Sequence, residues 1–209
     1  MEYNKLLEKY QNDYYQIYSS TDKKSPNFEN KELAELYLQK YYLNEKEYND
    51  CWNSIQQSVF IVNHEFPQMI FNKNFKIVAS IGGILFDKKD FEKLQECIKK
   101  LGDRYIIIIQ KSYEENSQEA IFRMKFPIEI SWEEMMSGSY ISTVLFEMFG
   151  NEYYMFSESG SWGRYSANEY ELPLDILGYK SNISNVFDGY SNSDDVITVL
   201  PNDYKNMLK

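Results

Sequence analysis

The chain predicts an α+β fold, a mainly antiparallel sheet with packed helices and an N-terminal helical region. Three observations carry that expectation. The first third repeats apolar residues at helical spacing. The middle and last thirds hold short β-branched or alternating runs divided by turn residues. Hydrophobic residues make up 43% and aromatic residues 17% of 209 residues, enough for one well-filled core.

In the N-terminal region, Leu6, Leu7, Tyr10, Tyr14, Ile17 and Tyr18 mark a helix over 3–18. A polar connection over 19–27, with Pro26, follows. A second helix starts near Asn30, with Leu33, Leu36, Tyr37, Lys40 and Tyr41 on one stripe, and Asn44 interrupts it. A third starts near Glu45, with Tyr48, Trp52, Ile55 and Val59 on one face. Residues 1–63 thus read as a helical region and 75–200 as the α+β core of a single domain, 1–209, because no flexible linker divides them.

Beyond Phe66-Pro67, Phe75–Ile81 reads as a strand, with Gly82-Gly83 as its bend or end. Asp87 caps a helix in which Phe91, Leu94, Ile98 and Leu101 recur at spacings of three and four, and Gly102 ends it. Tyr105–Ile109 is a continuous apolar run, as in a strand covered on both faces. Residues 75–110 therefore form a strand–helix–strand unit. A polar turn at 114–117 leads to 120–127, where Phe122, Met124 and Phe126 alternate with Arg123 and Lys125 as in a half-buried strand. Ser131 and Glu134 have capping-box spacing and open a short helix that ends near Gly138. Ile141–Phe149 and Glu152–Phe156 read as a hairpin about Gly150-Asn151. Val196–Leu200 reads as a last strand before Pro201.

Composition excludes several functions. Lys and Arg number 22 against 32 Asp and Glu, a net charge of −10, and no basic cluster offers a nucleic-acid footprint. Nineteen tyrosines suit a binding surface, and the acidic charge suits a basic partner. His64 is the single histidine and no nucleophile motif accompanies it. Cys51 and Cys97 lie far apart, too few for a zinc site. Asp194-Asp195 with Ser191 and Asn192 lacks the rest of an EF-hand loop. No cofactor or metal is expected. The N-terminus lacks signal-peptide design and no run is long enough to span a membrane, so a cytoplasmic protein is expected.

The densest chemistry lies in 156–175, read as a loop and the element after it. Glu158, Trp162, Arg164, Tyr165, Asn168, Glu169 and Glu171 are the expected partner-binding residues, with Trp162 and Tyr165 as anchors. The G-x-x-G spacing of Gly160 and Gly163 matches some RNA loops, but the acids around it would repel phosphate. Glycines and Trp162 also serve a structural turn. On this reading Trp162→Ala destabilises the protein, whereas substituting Glu158, Arg164, Asn168, Glu169 or Glu171 weakens partner binding and leaves stability largely intact.

The segment Ser161-Trp-Gly-Arg-Tyr-Ser-Ala-Asn-Glu-Tyr-Glu-Leu-Pro-Leu-Asp-Ile-Leu-Gly178 resembles one in uncharacterised small bacterial proteins. Acidic, tyrosine-rich proteins of this kind are similar to immunity proteins of polymorphic toxin systems. The resemblance covers residues 120–190 and carries no binding residue over. It implies a non-enzymatic protein that neutralises a cognate toxin by occluding its active site, with a basic toxin domain as partner. Two alternatives stay open: a hydrolase using carboxylates near Glu158, Glu169 and Glu171, and a regulatory or structural subunit that docks through the N-terminal helices.

Overall fold

A computed structural model of the chain describes residues 3–4, 31–82, 87–111, 122–137, 152–167 and 174–209. Residues 5–18 of the expected helix over 3–18, the strand 141–149, the turns at 114–117 and 150–151, Gly83, Gly138, and Asn168, Glu169 and Glu171 lie outside the described residues.

Six strands form one sheet: β1 (Phe75–Ile81), β2 (Tyr105–Gln110), β3 (Arg123–Pro127), β4 (Tyr153–Phe156), β5 (Trp162–Ala167) and β6 (Leu174–Lys180). Their spatial order is β1-β6-β5-β4-β2-β3, and every neighbouring pair is antiparallel. The α+β fold expected from sequence is therefore the fold observed. The helices and turns of the described residues are α1 (Lys31–Tyr41), α2 (Glu45–Glu47), a π-turn (Tyr48–Trp52), α3 (Asn53–Val59), α4 (Lys88–Leu101), α5 (Trp132–Ser137), a 3-10 turn (Ser181–Phe187), α6 (Asp194–Val199) and α7 (Asn202–Lys205).

Both sheet faces are buried. Val78, Ile106, Ile108, Met124, Met155, Trp162, Leu177 and Tyr179 pack with Tyr37, Leu38 and Tyr41 of α1 and with Phe91, Leu94 and Ile98 of α4. On the opposite face Ile77, Ile107, Ile109, Tyr154, Phe156, Tyr165 and Ile176 pack with Val59 of α3, with Phe60 and Phe71, and with Val196, Leu200 and Tyr204 near the C-terminus. Ile106–Ile109 alternate between the two cores, which is why that run shows no polar position. Each fully buried isoleucine is worth about 1.5–3 kcal/mol, so this one strand is a major source of stability.

Several expectations are met in detail. Asp87 Oδ1 accepts from Asp90 N at 3.1 Å, and Gly102 ends α4 at φ 79°. Ser131 Oγ accepts from Glu134 N at 3.0 Å. Strand, helix and strand do follow in order over 75–110. However, β1 and β2 are separated by three strands, so the unit spans the sheet instead of pairing with itself.

Other expectations are corrected. The buried stripe of α1 is Tyr37, Leu38 and Tyr41, while Leu36 is 58% exposed. Residues 196–200 are not a strand but the end of α6 and its cap. Val196 and Leu200, four apart, are buried, and Thr198 and Val199 between them face solvent, which is helical phase. The stretch 156–175 is not one loop. It comprises the end of β4, a short turn, all of β5, and the start of β6 beyond 168–173. Glycines and the absence of alternation hid these strands, because both of their faces are covered.

The sheet edges are closed. Along β1, Ile77 N donates to Met207 O and Lys209 N donates to Ile77 O, while Ala79 bonds Asn192 Oδ1 and Ser193 N. Along β3, Leu43 N donates to Arg123 O, Tyr42 bridges Met124, and Pro127 offers no N–H. No described helix is long and apolar enough to cross a membrane.

Candidate functional site

Of the expected contact residues of the 156–175 segment that are described, Trp162, Arg164 and Tyr165 are buried. Trp162 and Tyr165 are fully buried on opposite faces of β5, and Arg164 is 4% exposed. Trp162 Nε1 donates to Ser157 Oγ at 2.6 Å and to Asp103 Oδ2 at 3.2 Å. Asp103 also accepts from Ser157 Oγ, from Ser159 N at 3.0 Å and from Ser159 Oγ at 2.9 Å. Glu158 turns towards the start of β2 and accepts from Arg104 N and Tyr105 N, both at 2.9 Å, and from Arg104 Nε at 3.1 Å. Two carboxylates thus pin the β4–β5 turn to the loop after α4. Gly160, at φ 53°, closes that turn.

Arg164 is held from two sides. Its Nε and Nη2 donate to Asp175, the latter at 2.6 Å, and Nη2 donates to Asp90 at 2.7 Å from the first turn of α4. Burial disfavours the guanidinium charge, but the charges and hydrogen bonds of Asp175 and Asp90 outweigh it and its pKa is raised. Trp162, Arg164 and Tyr165 are therefore not available as a contact surface in this conformation. The sequence showed their chemical diversity but not their direction.

A different constellation gathers on the other side of the sheet, where α2, the π-turn and α3 cross the ends of β2, β3 and β4. A half-open cavity of about 140 Å³ is lined by Tyr48, Gln56, Val62, Ile109, Gln110, Lys111, Arg123 and Tyr154. Asn44 starts this helical run by accepting from Glu47 N at 2.9 Å. The π-turn then shifts the helical phase so that Trp52, Gln56 and Val59 are buried and Tyr48 stands over Arg123, its ring centroid 5.0 Å from Cζ. Tyr48 donates to Gln56 Oε1 at 2.7 Å.

Charge is concentrated at the strand ends. Lys111 and Glu152 form an ion pair at 3.1 Å with side chains 7% and 0% exposed. Lys111 Nζ also donates to His64 O at 2.7 Å. The Glu152 carboxylate is compensated by this ion pair and receives no further hydrogen bond. The Tyr154 pKa is pushed well above its ordinary value, first by burial and then by the charge of Glu152. His64 uses Nδ1 on Met69 O at 2.7 Å, as an ordinary turn histidine does.

Glu152, Lys111, Arg123, Tyr48 and Tyr154 were not among the expected site residues. The available signal was a charged residue at each end of an otherwise apolar strand: Lys111 just after β2 and Glu152 just before β4. Burial of a charge without full compensation is costly, which is what makes such a pair informative. Among the described residues no group of three or more His, Cys, Asp or Glu could hold a metal ion. Of Ser191, Asn192, Asp194 and Asp195, Asn192 covers the β1 edge by accepting from Ala79 N at 2.9 Å.

No family model, curated protein or solved structure matches this chain.

Proposed function

We propose that this chain is a non-enzymatic binding protein of the immunity type, which neutralises a cognate bacterial toxin by covering its active site. One observation carries the reading: among the described residues many carboxylates are exposed to solvent. Asp103, Glu152 and Asp175 are buried and tied into the fold, whereas Asp50, Glu65, Glu92, Glu96, Asp194 and Asp195 are exposed. Carboxylates displayed in this way attract a basic surface and raise the association rate, in keeping with the chain's net charge of −10.

Closed sheet edges bear on how the partner would dock. Strand addition is blocked along β1 and β3, so recognition falls to side chains on helices and loops. Glu158, the one described carboxylate of the trio considered for hydrolysis, is engaged by two backbone N–H groups and Arg104, which favours binding over hydrolysis. The test is to purify the tagged full chain from its native host and identify what copurifies. The expected partner is a basic toxin domain whose association slows steeply as salt rises. Recovery of no toxin-like partner, or an association rate insensitive to salt, overturns the reading.

A further inference from the structure

We infer that β1 is a latent pairing edge held shut by a two-part strap, Asn192-Ser193 and Met207–Lys209. Loosening the strap lets β1 pair antiparallel with β1 of a second copy of this chain. This is independent of the protein partner proposed above.

The strap occupies a defined set of backbone groups. β1 bonds β6 along one side, and Ile77 and Ala79 turn their N–H and C=O to the other. Ile77 N donates to Met207 O at 2.9 Å, and Ile77 O accepts from Lys209 N at 3.0 Å. Ala79 N donates to Asn192 Oδ1 at 2.9 Å, and Ala79 O accepts from Ser193 N at 2.9 Å. None of these partners belongs to a strand of the sheet. The backbone of 207–209 meets β1 through one isolated bridge, Leu208 opposite Ile77. Its side-chain tie, Lys209 Nζ to Asp188 at 3.2 Å, is partly solvated, where an ion pair holds weakly. Beneath the strap Ile77, Val78 and Ala79 are buried and apolar, the composition that makes an uncovered edge associate.

The occupant follows from the register. Centred on Val78, two antiparallel copies of β1 set Ile77 of each opposite Ala79 of the other. These are the residues whose bonding groups face outward, so both pairs are of the hydrogen-bonded type. Four N–H···O bonds form across the two-fold axis, and they use the groups that the strap occupies. Lys76 then faces Ser80 and Phe75 faces Ile81, so no like charges oppose each other. Ile81, 45% exposed, gains a cover. The pairing is self-complementary and closed, so it stops at two copies. Two strapped copies hold twice as many edge bonds as the pair forms, so the strapped monomer is the favoured form of the intact chain.

The test is sedimentation of the full chain and of Asn192→Ala/Lys209→Pro over a wide concentration range. The double variant removes one acceptor and one donor of the strap. It is expected to dimerise about tenfold or more tightly than the intact chain, with amide exchange at Ile77 and Ala79 that slows as concentration rises. Adding Ile81→Lys, which puts a charge on the paired edge, is expected to weaken the dimer. Should the double variant not fold by circular dichroism, Lys209→Pro alone, at an exposed position, is expected to show a smaller gain in association. The inference is overturned if the folded variants associate no more than the intact chain, or if Ile81→Lys leaves the dimer unchanged. A dimer in which exchange at Ile77 and Ala79 does not depend on concentration also overturns it.

Discussion

Arg164 on β5 and Asp175 on β6 meet through a two-pronged ion pair, with side chains 4% and 0% exposed. They sit diagonally in the register, since Arg164 faces Leu177 and Asp175 faces Ser166. Asp90 adds a third charge from above, so the pair locks α4 to the centre of the sheet. The residue expected to contact a partner is instead a tie between layers.

Arg164→Met is therefore expected to destabilise the protein by about 3–5 kcal/mol, because it strands a buried carboxylate. Asp175→Leu alone costs a similar amount. The double substitution costs less than the sum of the two, which urea denaturation of all four proteins measures as a coupling energy. Additive losses would show that the pair is not a unit.

The second prediction concerns two glycines that face each other across β5 and β6, Gly163 and Gly178. A Cβ on Gly163 would lie 2.5 Å from both Val59 and Phe60, and one on Gly178 would lie 2.4 Å from Phe71. The bare backbone makes a shallow seat for the Phe60 and Phe71 rings, whose centroids are 5.1 Å apart. Gly178→Ala should cost about 1–3 kcal/mol by overpacking. Phe71→Leu should recover part of that loss in the double variant, read from thermal melting; no recovery would mean that the strain arises elsewhere.

A third prediction follows from the buried phenols. Tyr37, Tyr154 and Tyr204 all have pKa values raised from 10.0, with burial the first cause in each. The folded state keeps these protons while the unfolded chain loses them near pH 10. Stability is thus level with respect to these groups below that pH and falls as pH rises above it, by up to about 1.4 kcal/mol per pH unit for each tyrosine. Urea midpoints across the alkaline range, followed with tyrosinate absorbance, check this. Ionisation of all nineteen tyrosines without loss of structure would refute it.

Much of the architecture was legible because local rules agreed with the fold. Asp87, Ser131 and Gly102 sit where their cap roles require, and Ile106–Ile109 announced a strand buried on both faces. Failures came where local signals were ambiguous. Residues 196–200 are rich in β-branched side chains yet helical, because only Val196 and Leu200 meet the core. Strands β5 and β6 carry glycine, arginine and aspartate, which read as loop chemistry until their partners are known.

The sequence by itself determined the fold class and the acidic net charge, since these depend on composition and periodicity alone. Tertiary structure decided which polar residues face solvent. A side chain's direction depends on strand register and on what covers each face, and neither is encoded locally. That is why Trp162 and Arg164 turned inward. It is also why Lys111 and Glu152, 41 positions apart in number, meet at 3.1 Å beside a cavity that no single segment describes.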